Sequence, residues 1–352
     1  MSVLKETLPF RTIDNRRAAG ELALTLCAYA TALLLALFWR GPGWMVGLPA
    51  ACAGIAAVRL YMLQHDCMHR SFCQPRWLND VIGVALSPLT LTPFYAGRYN
   101  HGQHHSHVGD LDQRDTFEIN VLTVAEYRAR GPWARLAYRL YRSPVVLVAI
   151  GPILVFGLIN RCPRNTFKAG LWRDVLLHNA LLGGYLAAIY LLAGSAGLWT
   201  LLLANYIGVS LGAVIPYVEH NFETVEWGRK PELSFEDAAL KGSAVLDFGA
   251  LFHFVTANIG YHDLHHLNPQ VPSYHLKACH EALEARGHLN SRKVGWRAAL
   301  QSFRWKLWDE EAQRMVTFAA AHPRMSWPQA ELGFAQENYL AQLGSHRKGQ
   351  NN

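Results

Sequence analysis

The most informative property of this sequence is how few of its residues are charged. Lys, Arg, Asp and Glu make up 17% of the 352 residues, whereas hydrophobic residues make up 51%. A typical soluble domain carries about 25% charged residues, so the composition argues against a soluble protein and for a membrane protein.

The sequence also lacks several other signals. Its six cysteines form no CxxC pair, and Cys27 and Cys52 fall inside apolar stretches, so we expect no disulfide framework. The first 20 residues hold four basic residues but no short apolar core, unlike a cleavable signal peptide. No run of Lys and Arg adjoins a recognisable nucleic-acid module, so we expect no nucleic-acid partner. The net charge of +7 is interpreted as attraction to anionic lipid.

Four apolar blocks are present, each close to the roughly 20 residues that a helix needs to cross a bilayer. Arg40-Gly-Pro-Gly43 separates the first two blocks, and Gly194-Ser-Ala-Gly197 separates the last two. Each pair therefore predicts a helical hairpin. The predicted spans cover residues 21–39, 44–63, 174–193 and 198–218.

The charge distribution predicts the orientation of these spans. Basic residues precede the first and third spans, whereas both hairpin turns are nearly free of charge. By the positive-inside rule both hairpins open to the cytoplasm, and both termini are cytoplasmic. We interpret residues 1–352 as one all-α integral membrane domain with four transmembrane helices in two hairpins and a cytoplasmic helical cap. The cap comprises residues 64–173 and 219–318, and a polar tail covers residues 333–352.

Eight of the 17 histidines fall in three short clusters. The clusters read HDCMH at 65–69, HGQHH at 101–105 and HDLHH at 262–266. Residues at i, i+3 and i+4 share one face of a helix, so each cluster would aim two or three imidazoles in one direction. A ninth histidine, His220, follows the fourth span. Nine imidazoles exceed the capacity of one metal ion but suit two ions with four or five nitrogens each, and imidazole binds Zn, Cu, Fe and Ni alike.

Membrane topology tests whether the clusters can meet. The last two spans separate the first two clusters from the third, and an even number of crossings returns the chain to the same side. Two further apolar stretches, 81–96 and 145–159, threaten this count because one extra crossing would separate the clusters. Both are short and contain proline, and we interpret them as interfacial or re-entrant segments.

The clusters and their spacing resemble the membrane fatty acid desaturase family, specifically the bacterial omega-6 (delta-12) type branch. The resemblance covers residues 60 to 311. It rests on HDCMHRSF at 65–72, HGQHHSHVGDLDQRD at 101–115, LTVAEY at 122–127, YVEHNFE at 217–223, TANIGYHDLHHLNPQVPSY at 256–274 and LWDEE at 307–311. The stearoyl-type branch has an asparagine four residues before the extra histidine, whereas this chain has Pro216.

This resemblance implies a centre of two iron ions that uses O2 as a co-substrate and inserts a cis double bond into a fatty acyl chain. The acyl chain would belong to a lipid or an acyl thioester, and the electrons would come from a ferredoxin or cytochrome b5 type donor. It implies a bacterial inner-membrane enzyme with a cytoplasmic active site. The implied catalytic iron ligands are His65, His69, His101, His104, His105, His220, His262, His265 and His266.

Chemistry supports a redox metal independently, since no amino-acid side chain abstracts hydrogen from an unactivated methylene. Zinc has no redox chemistry. Metal-bound imidazoles usually donate their second N–H to a carboxylate or carbonyl. Candidates for this supporting role are Asp66, Asp115, Glu219, Asn258 and Asp263.

Other functions remain open from the residues alone. A hydroxylase, epoxygenase or acetylenase acting on an acyl or alkyl chain could use the same ligands. A di-metal hydrolase would need neither oxygen nor reductant. A metal transporter would carry ionisable residues along its spans, which here hold almost none, and a bis-histidine haem protein would place single histidines near mid-membrane.

Overall fold

The structure is a computed structural model that describes residues 2–114, 119–162 and 164–321. Asp115 and the polar tail at 333–352 lie outside the described residues. The α-helices are α1 Val3–Glu6, α2 Asn15–Leu37, α3 Gly47–Met68, α4 Trp77–Thr90, α5 Phe94–His107, α6 Val124–Ala129, α7 Pro132–Tyr141, α8 Arg164–Lys168, α9 Trp172–His220, α10 Phe235–Lys241, α11 Ala250–Val255, α12 His262–Leu267, α13 Ser273–Ala285 and α14 Trp296–Ser302.

Short strands and irregular helical turns complete the fold. The strands form two small sheets, so the expected all-α architecture is nearly but not fully correct. The strands are β1 Leu122–Thr123, β2 Val245–Leu246, β3 Lys293–Val294, β4 Leu307–Asp309 and β5 Arg314–Val316. Strand β1 pairs parallel with β4, β2 pairs parallel with β3, and β4 pairs antiparallel with β5. The remaining turns are 3₁₀ (Leu8–Arg11, Gly43–Val46, Ile159–Arg161, Phe318–Ala321) and π-helical (Val146–Ile150, Ile153–Leu158).

Four helical segments are long and apolar enough to cross a membrane: Asn15–Leu37, Gly43–Met68, Val146–Lys168 and Trp172–His220. The second contains the predicted span 44–63, and the first covers residues 21–37 of the predicted span 21–39. Helix α2 begins where the Asp14 side chain accepts hydrogen bonds from the backbone N–H groups of Arg16 and Arg17, which satisfies donors that a helix start leaves unpaired.

The last two predicted spans form a single element, α9, that is interrupted once. Gly194 has φ 63° and ψ −160°, which are not helical angles. A straight helix of 49 residues would be about 74 Å long, more than twice the hydrocarbon thickness of a bilayer. The predicted break at residues 194–197 therefore coincides with an actual break, and each half of α9 is as long as one span.

The segment Val146–Lys168 differs from expectation. Its first part was expected to be interfacial or re-entrant, yet the segment meets the length and apolarity of a span. Two π-helical turns and Pro152 interrupt its backbone. The stretch at 81–96 is not among the candidate spans of the described residues, because it is divided between α4, which contains 14 residues and carries Pro88, and the start of α5.

Close packing of α3 against α9 fixes the position of their histidine-bearing C-terminal ends relative to each other. A methyl group at Gly54 would lie 2.6 Å from the carbonyl oxygen of Ala204, and one at Gly208 would lie 2.9 Å from the carbonyl oxygen of Gly54. Only glycine allows backbones to approach this closely. The contact brings the C-terminal ends of α3 and α9 side by side.

One element of the cap differs from what its local periodicity predicts. Residues 294–316 alternate aromatic and basic residues at roughly helical spacing, which predicts an amphipathic helix, but the structure divides them into the end of β3, helix α14 and strands β4 and β5. Helix α14 nevertheless exposes the side chains of Trp296 and Leu300. The long-range pairing of β4 with β1 competes with helix formation, and local periodicity does not report such pairing.

Candidate metal centre

Four helices carry the nine histidines that the sequence singled out. His65 lies in the last turn of α3, and His69 caps that helix. His101, His104 and His105 lie along α5. His220 is the last residue of α9, and α12 contributes His262, His265 and His266.

The structure brings these nine imidazoles together in two groups. In each group the candidate ligand atoms lie within 4.8 Å of one another. The five-histidine group comprises His65, His69, His101, His105 and His265. The four-histidine group comprises His104, His220, His262 and His266. This division of nine into five and four agrees with the expectation of two metal ions, and the assignment of these residues as ligands stays a prediction.

The distances between ring nitrogens match those between ligands of one ion. In the five-histidine group, Nε2 of His101 lies 2.7 Å from Nε2 of His65 and 2.9 Å from Nε2 of His105. In the other group, Nε2 of His262 lies 3.0 Å from Nε2 of both His220 and His266. Two imidazole ligands at about 2.0–2.1 Å from a shared ion are separated by roughly 3 Å.

Hydrogen bonding among the imidazoles does not explain these contacts. Nε2 of His105 lies 2.9 Å from Nε2 of His101 and 3.0 Å from Nε2 of His265. A neutral ring nitrogen offers either one proton or one in-plane lone pair, so it cannot form two well-aligned hydrogen bonds. Nε2 of His69 is buried and has no hydrogen-bond partner among the residues that the structure describes. A metal cation in each group would accept the lone pairs of that group's ring nitrogens. The residues therefore fit a pair of metal ions.

Burial also holds these rings in the state that binds metal. Desolvation of the charged form is the main cause of a lowered imidazole pKa here, and repulsion between neighbouring imidazoles lowers the pKa further. Together they lower the pKa of six histidines well below the ordinary value of 6.5: His69, His101, His105, His262, His265 and His266. Neutral imidazoles keep their lone pairs available at neutral pH.

Two of the histidines have contacts on the second ring nitrogen. Nδ1 of His220 lies 2.9 Å from the carbonyl oxygen of Gly242, which directs Nε2 towards the four-histidine group. Nδ1 of His262 lies 3.3 Å from an Oε atom of Glu219, a carboxylate that is 1% exposed. A hydrogen bond such as that of His220 fixes the tautomer and raises ligand basicity, whereas the Glu219 carboxylate lies beside Nδ1 of His262 outside hydrogen-bond geometry in the described part of the chain.

The other predicted supporting residues bind elsewhere. Asp66 accepts a hydrogen bond from the backbone N–H of Ser273, and one of its oxygens lies 4.0 Å from Nδ1 of His65. Asp263 accepts one from the hydroxyl of Ser291. Asn258 donates to the carbonyl of Ser273. The contacts with Ser273 connect α3 and the loop before α12 to the start of α13, and the contact with Ser291 connects α12 to the segment before β3. These residues therefore hold in place the backbone that carries the histidines.

Two histidines near the clusters fall outside both groups. Nδ1 of His107 contacts the carbonyl of Gln103 within α5. The ring of His253 stacks on Tyr261, with ring centres 4.4 Å apart. The structure therefore does not place either ring with the candidate ligand atoms of the two groups.

A cavity of about 600 Å³ adjoins the metal centre. Its volume lies within the ~300–1,000 Å³ common for small-ligand sites. His65, His101, His104, His220 and His262 form part of its wall. Most of the remaining wall is apolar and comes from α3, the second half of α9 and the π-helical segment. Asn205 lines its far part, 15 residues before His220 and therefore about 22 Å away along α9.

Several wall residues had not been identified from the sequence. Tyr61 precedes His65 by one helical turn, and Asn221 directly follows His220. Trp227 is buried, and its indole N–H has no hydrogen-bond partner among the described residues. For Tyr61 the helical period was an available signal, whereas Trp227 belongs to a loop whose path depends on tertiary contacts.

Long apolar helices that converge on nine buried or half-buried imidazoles, beside a largely apolar cavity, are typical of the class of membrane enzymes whose histidine clusters could bind metal. The comparisons identify the family. A model of the family described as "Fatty acid desaturase" matches residues 42–297. The chain belongs to the fatty acid desaturase family, whose members are oxidoreductases, and the resemblance inferred from the histidine clusters is confirmed.

Named relatives support the same conclusion. The chain is 34% identical over 324 residues to "Fatty acid desaturase" of Bacillus subtilis, which covers 90% of each chain. It is 25% identical to "sn-1 oleoyl-lipid 12-desaturase" of a Synechocystis species, over 86% of this chain and 84% of that protein. It is 28% identical to "sn-1 acyl-lipid omega-3 desaturase (ferredoxin)" of a Nostoc species, over 64% of this chain and 63% of that protein.

Proposed function

We propose that this fatty acid desaturase inserts a cis double bond of the omega-6 (delta-12) type into acyl chains of membrane lipids, at a centre of two iron ions held by nine histidines. The observation that carries the proposal is the convergence of all nine ring systems in groups of five and four. The relatives named as 12-desaturases of oleoyl-lipids support the regiochemistry and the lipid substrate.

Two bound iron ions would supply the O2-derived oxidant that removal of hydrogen from an unactivated methylene requires. The protein contributes position and environment. His220, oriented by the Gly242 carbonyl, and His262, beside the Glu219 carboxylate, would hold one ion. His69 and His101 belong to the five-histidine group that would hold the other.

The cavity accounts for substrate binding. Its apolar wall suits an acyl chain, since each CH₂ withdrawn from water contributes about 0.8 kcal/mol. Gly212 and Ala213 are small residues and leave room along one wall of the cavity. Val155 and Phe156, in the π-helical turn Ile153–Leu158, border the cavity on another side. An acyl chain that lies along this wall passes the imidazoles while water is excluded.

We further propose the topology of two helical hairpins with a cytoplasmic cap, in a single domain of a bacterial inner-membrane protein. The contact of His220 with His262, and of His104 with His266, requires an even number of crossings between residues 105 and 220. If both halves of α9 cross the bilayer, the segment Val146–Lys168 enters and leaves on the same side. Its π-helical turns and Pro152 fit a re-entrant segment that neighbouring protein covers.

The electron donor is proposed to be a ferredoxin or a cytochrome b5 type protein. The name of the relative from Nostoc includes ferredoxin, which favours a ferredoxin as the donor. A donor reaches the centre from the cytoplasm in this topology.

The test is expression in a host that lacks polyunsaturated lipids, together with a competent donor and O2. Fatty acid profiling should reveal acyl chains that have lost two hydrogens at one position, and these products should be absent with His104→Ala. Products that have gained one oxygen would instead assign a hydroxylase or epoxygenase. An unchanged profile with iron-loaded protein would refute the proposal.

The cavity wall provides a second prediction. A Cβ added at Gly212 meets no atom of the described residues within 4 Å, and Gly212 lines the cavity, so Gly212→Phe should place its ring in the cavity. We expect product formation to fall about 10- to 100-fold, because the acyl chain is displaced from the reacting position. Iron content, measured by mass spectrometry of the purified protein, should not change.

Gly183→Phe is the matched control for this prediction. Gly183 lies in the first half of the same helix, and a Cβ added there also meets no atom of the described residues within 4 Å. Its product profile should equal that of the wild type. Equal activity of the Gly212 variant and the wild type would contradict the assignment of the cavity to the acyl chain.

A further inference from the structure

Helix α7 has an apolar stripe on its exposed side. Trp133 is 82% exposed, Leu136 45% and Leu140 57%. Their spacing of three and four residues places them on one face of the helix. The opposite face carries Tyr138, which is buried, and leads to Arg142 directly after the helix. The helix is therefore attached to the cap by one face and presents an apolar face outwards.

The chain continues from this stripe into the apolar segment that adjoins the bilayer. Val145, five residues after Leu140, is 64% exposed, and Ile150 and Ile153 are exposed on the same π-helical segment. That segment begins one of the four candidate membrane spans. The exposed face of α7 is thus continuous along the chain with the exposed apolar surface of a candidate membrane span.

The charges around the stripe suit an anionic surface. Residues 124–142 contain five arginines and one glutamate. The glutamate, Glu126, already pairs with Arg114. Arg130 precedes the helix and is exposed, and Arg139 within the helix is exposed while its Nε donates to the hydroxyl of Tyr127. A helix with Trp and Leu on one face and arginines on its flanks is typical of helices that lie in the headgroup region of a bilayer.

We propose that α7 lies in the headgroup region of the leaflet that faces the cap, with Trp133, Leu136 and Leu140 inserted among lipid chains and its arginines contacting anionic headgroups. The helix also borders the functional site, because Tyr141 lines the cavity and Arg142 donates a hydrogen bond to Asn221, next to His220. The bilayer surface is thereby linked to the wall of the cavity. This proposal does not depend on the reaction that the enzyme catalyses.

Photo-crosslinking of the full-length protein tests the occupant of this face. Leu136→p-benzoylphenylalanine and Leu140→p-benzoylphenylalanine variants would be placed in nanodiscs of equal phosphatidylglycerol and phosphatidylcholine and irradiated. Mass spectrometry should detect lipid adducts at both positions. Phosphatidylglycerol should be enriched among the adducts, and Arg130→Gln should reduce the enrichment by up to about fivefold.

The control places the same photoreactive residue at Glu310, an exposed position in the turn between β4 and β5. It should give no lipid adduct above background. Adducts between two copies of the chain, or lipid adducts no more frequent than at Glu310, would overturn the proposal. Two crosslinking positions, each checked by size-exclusion chromatography, keep the result interpretable if one variant fails to fold.

Discussion

Replacing His105 with alanine is expected to abolish desaturation and to lower the iron content from two ions per chain to about one. His105 lies between His101 and His265, with Nε2 distances of 2.9 and 3.0 Å. Loss of a contact that merely orients a ligand already costs about 10- to 100-fold in metal affinity or activity, and loss of a ligand should cost at least the upper value. Iron analysis and fatty acid profiling on the same preparation measure both effects.

His107→Ala provides the control within the same helix. His107 lies two residues further along α5, and its Nδ1 contacts the Gln103 carbonyl within the helix. The variant should retain two iron ions and wild-type product. If His105→Ala kept full iron and full activity, or if His107→Ala lost both, the assignment of the five-histidine group would be wrong.

Replacing Arg142 with alanine is expected to destabilise the cap more than any surface substitution. The guanidinium is fully buried and donates to the side-chain oxygen of Asn221 at 2.7 Å and to the carbonyl oxygen of Asn120 at 3.0 Å. Removing it leaves the side-chain oxygen of Asn221 buried without its donor, while the Asn120 carbonyl still accepts from the hydroxyl of Tyr138 at 3.4 Å. Leaving a buried acceptor unsatisfied costs about 1–3 kcal/mol of unfolding free energy, and the lost packing of the long side chain adds to this cost.

A lower thermal unfolding midpoint of the purified protein in detergent would report this loss. Because Asn221 directly follows His220, iron retention should also decrease. Arg304→Ala is the matched control, since Arg304 is exposed and surface substitutions usually change stability by no more than about 0.5 kcal/mol. Equal midpoints for the two variants would show that the Arg142 cluster does not stabilise the cap.

Much of the metal centre could be predicted because its signal is local. His65 and His69, or His262 and His266, are separated by one helical turn, so the sequence alone places each pair on one face. His220 was identified because it follows the fourth predicted span, on the same predicted side of the membrane as the clusters. The topological requirement that the clusters lie on one side agrees with the contact between His220 and His262.

The supporting residues could not be predicted in the same way. Asp263 and Asn258 were selected because they lie near ligands in sequence, but their partners, Ser291 and Ser273, come from other parts of the chain. Glu219 was selected on the same ground, and its carboxylate does approach His262. Sequence proximity reports which residues share an element, whereas the direction of each side chain depends on the backbone that receives it.

The amino-acid sequence by itself determined the membrane class, the position of the apolar helices and the nine histidines, because composition and helical periodicity act over a few turns of chain. Only the tertiary structure decided the division of the histidines into five and four, the shape of the cavity, and the contacts of Arg142 and Trp227. These features depend on contacts between residues far apart in sequence, such as Gly54 with Gly208, whose geometry follows from how whole helices pack.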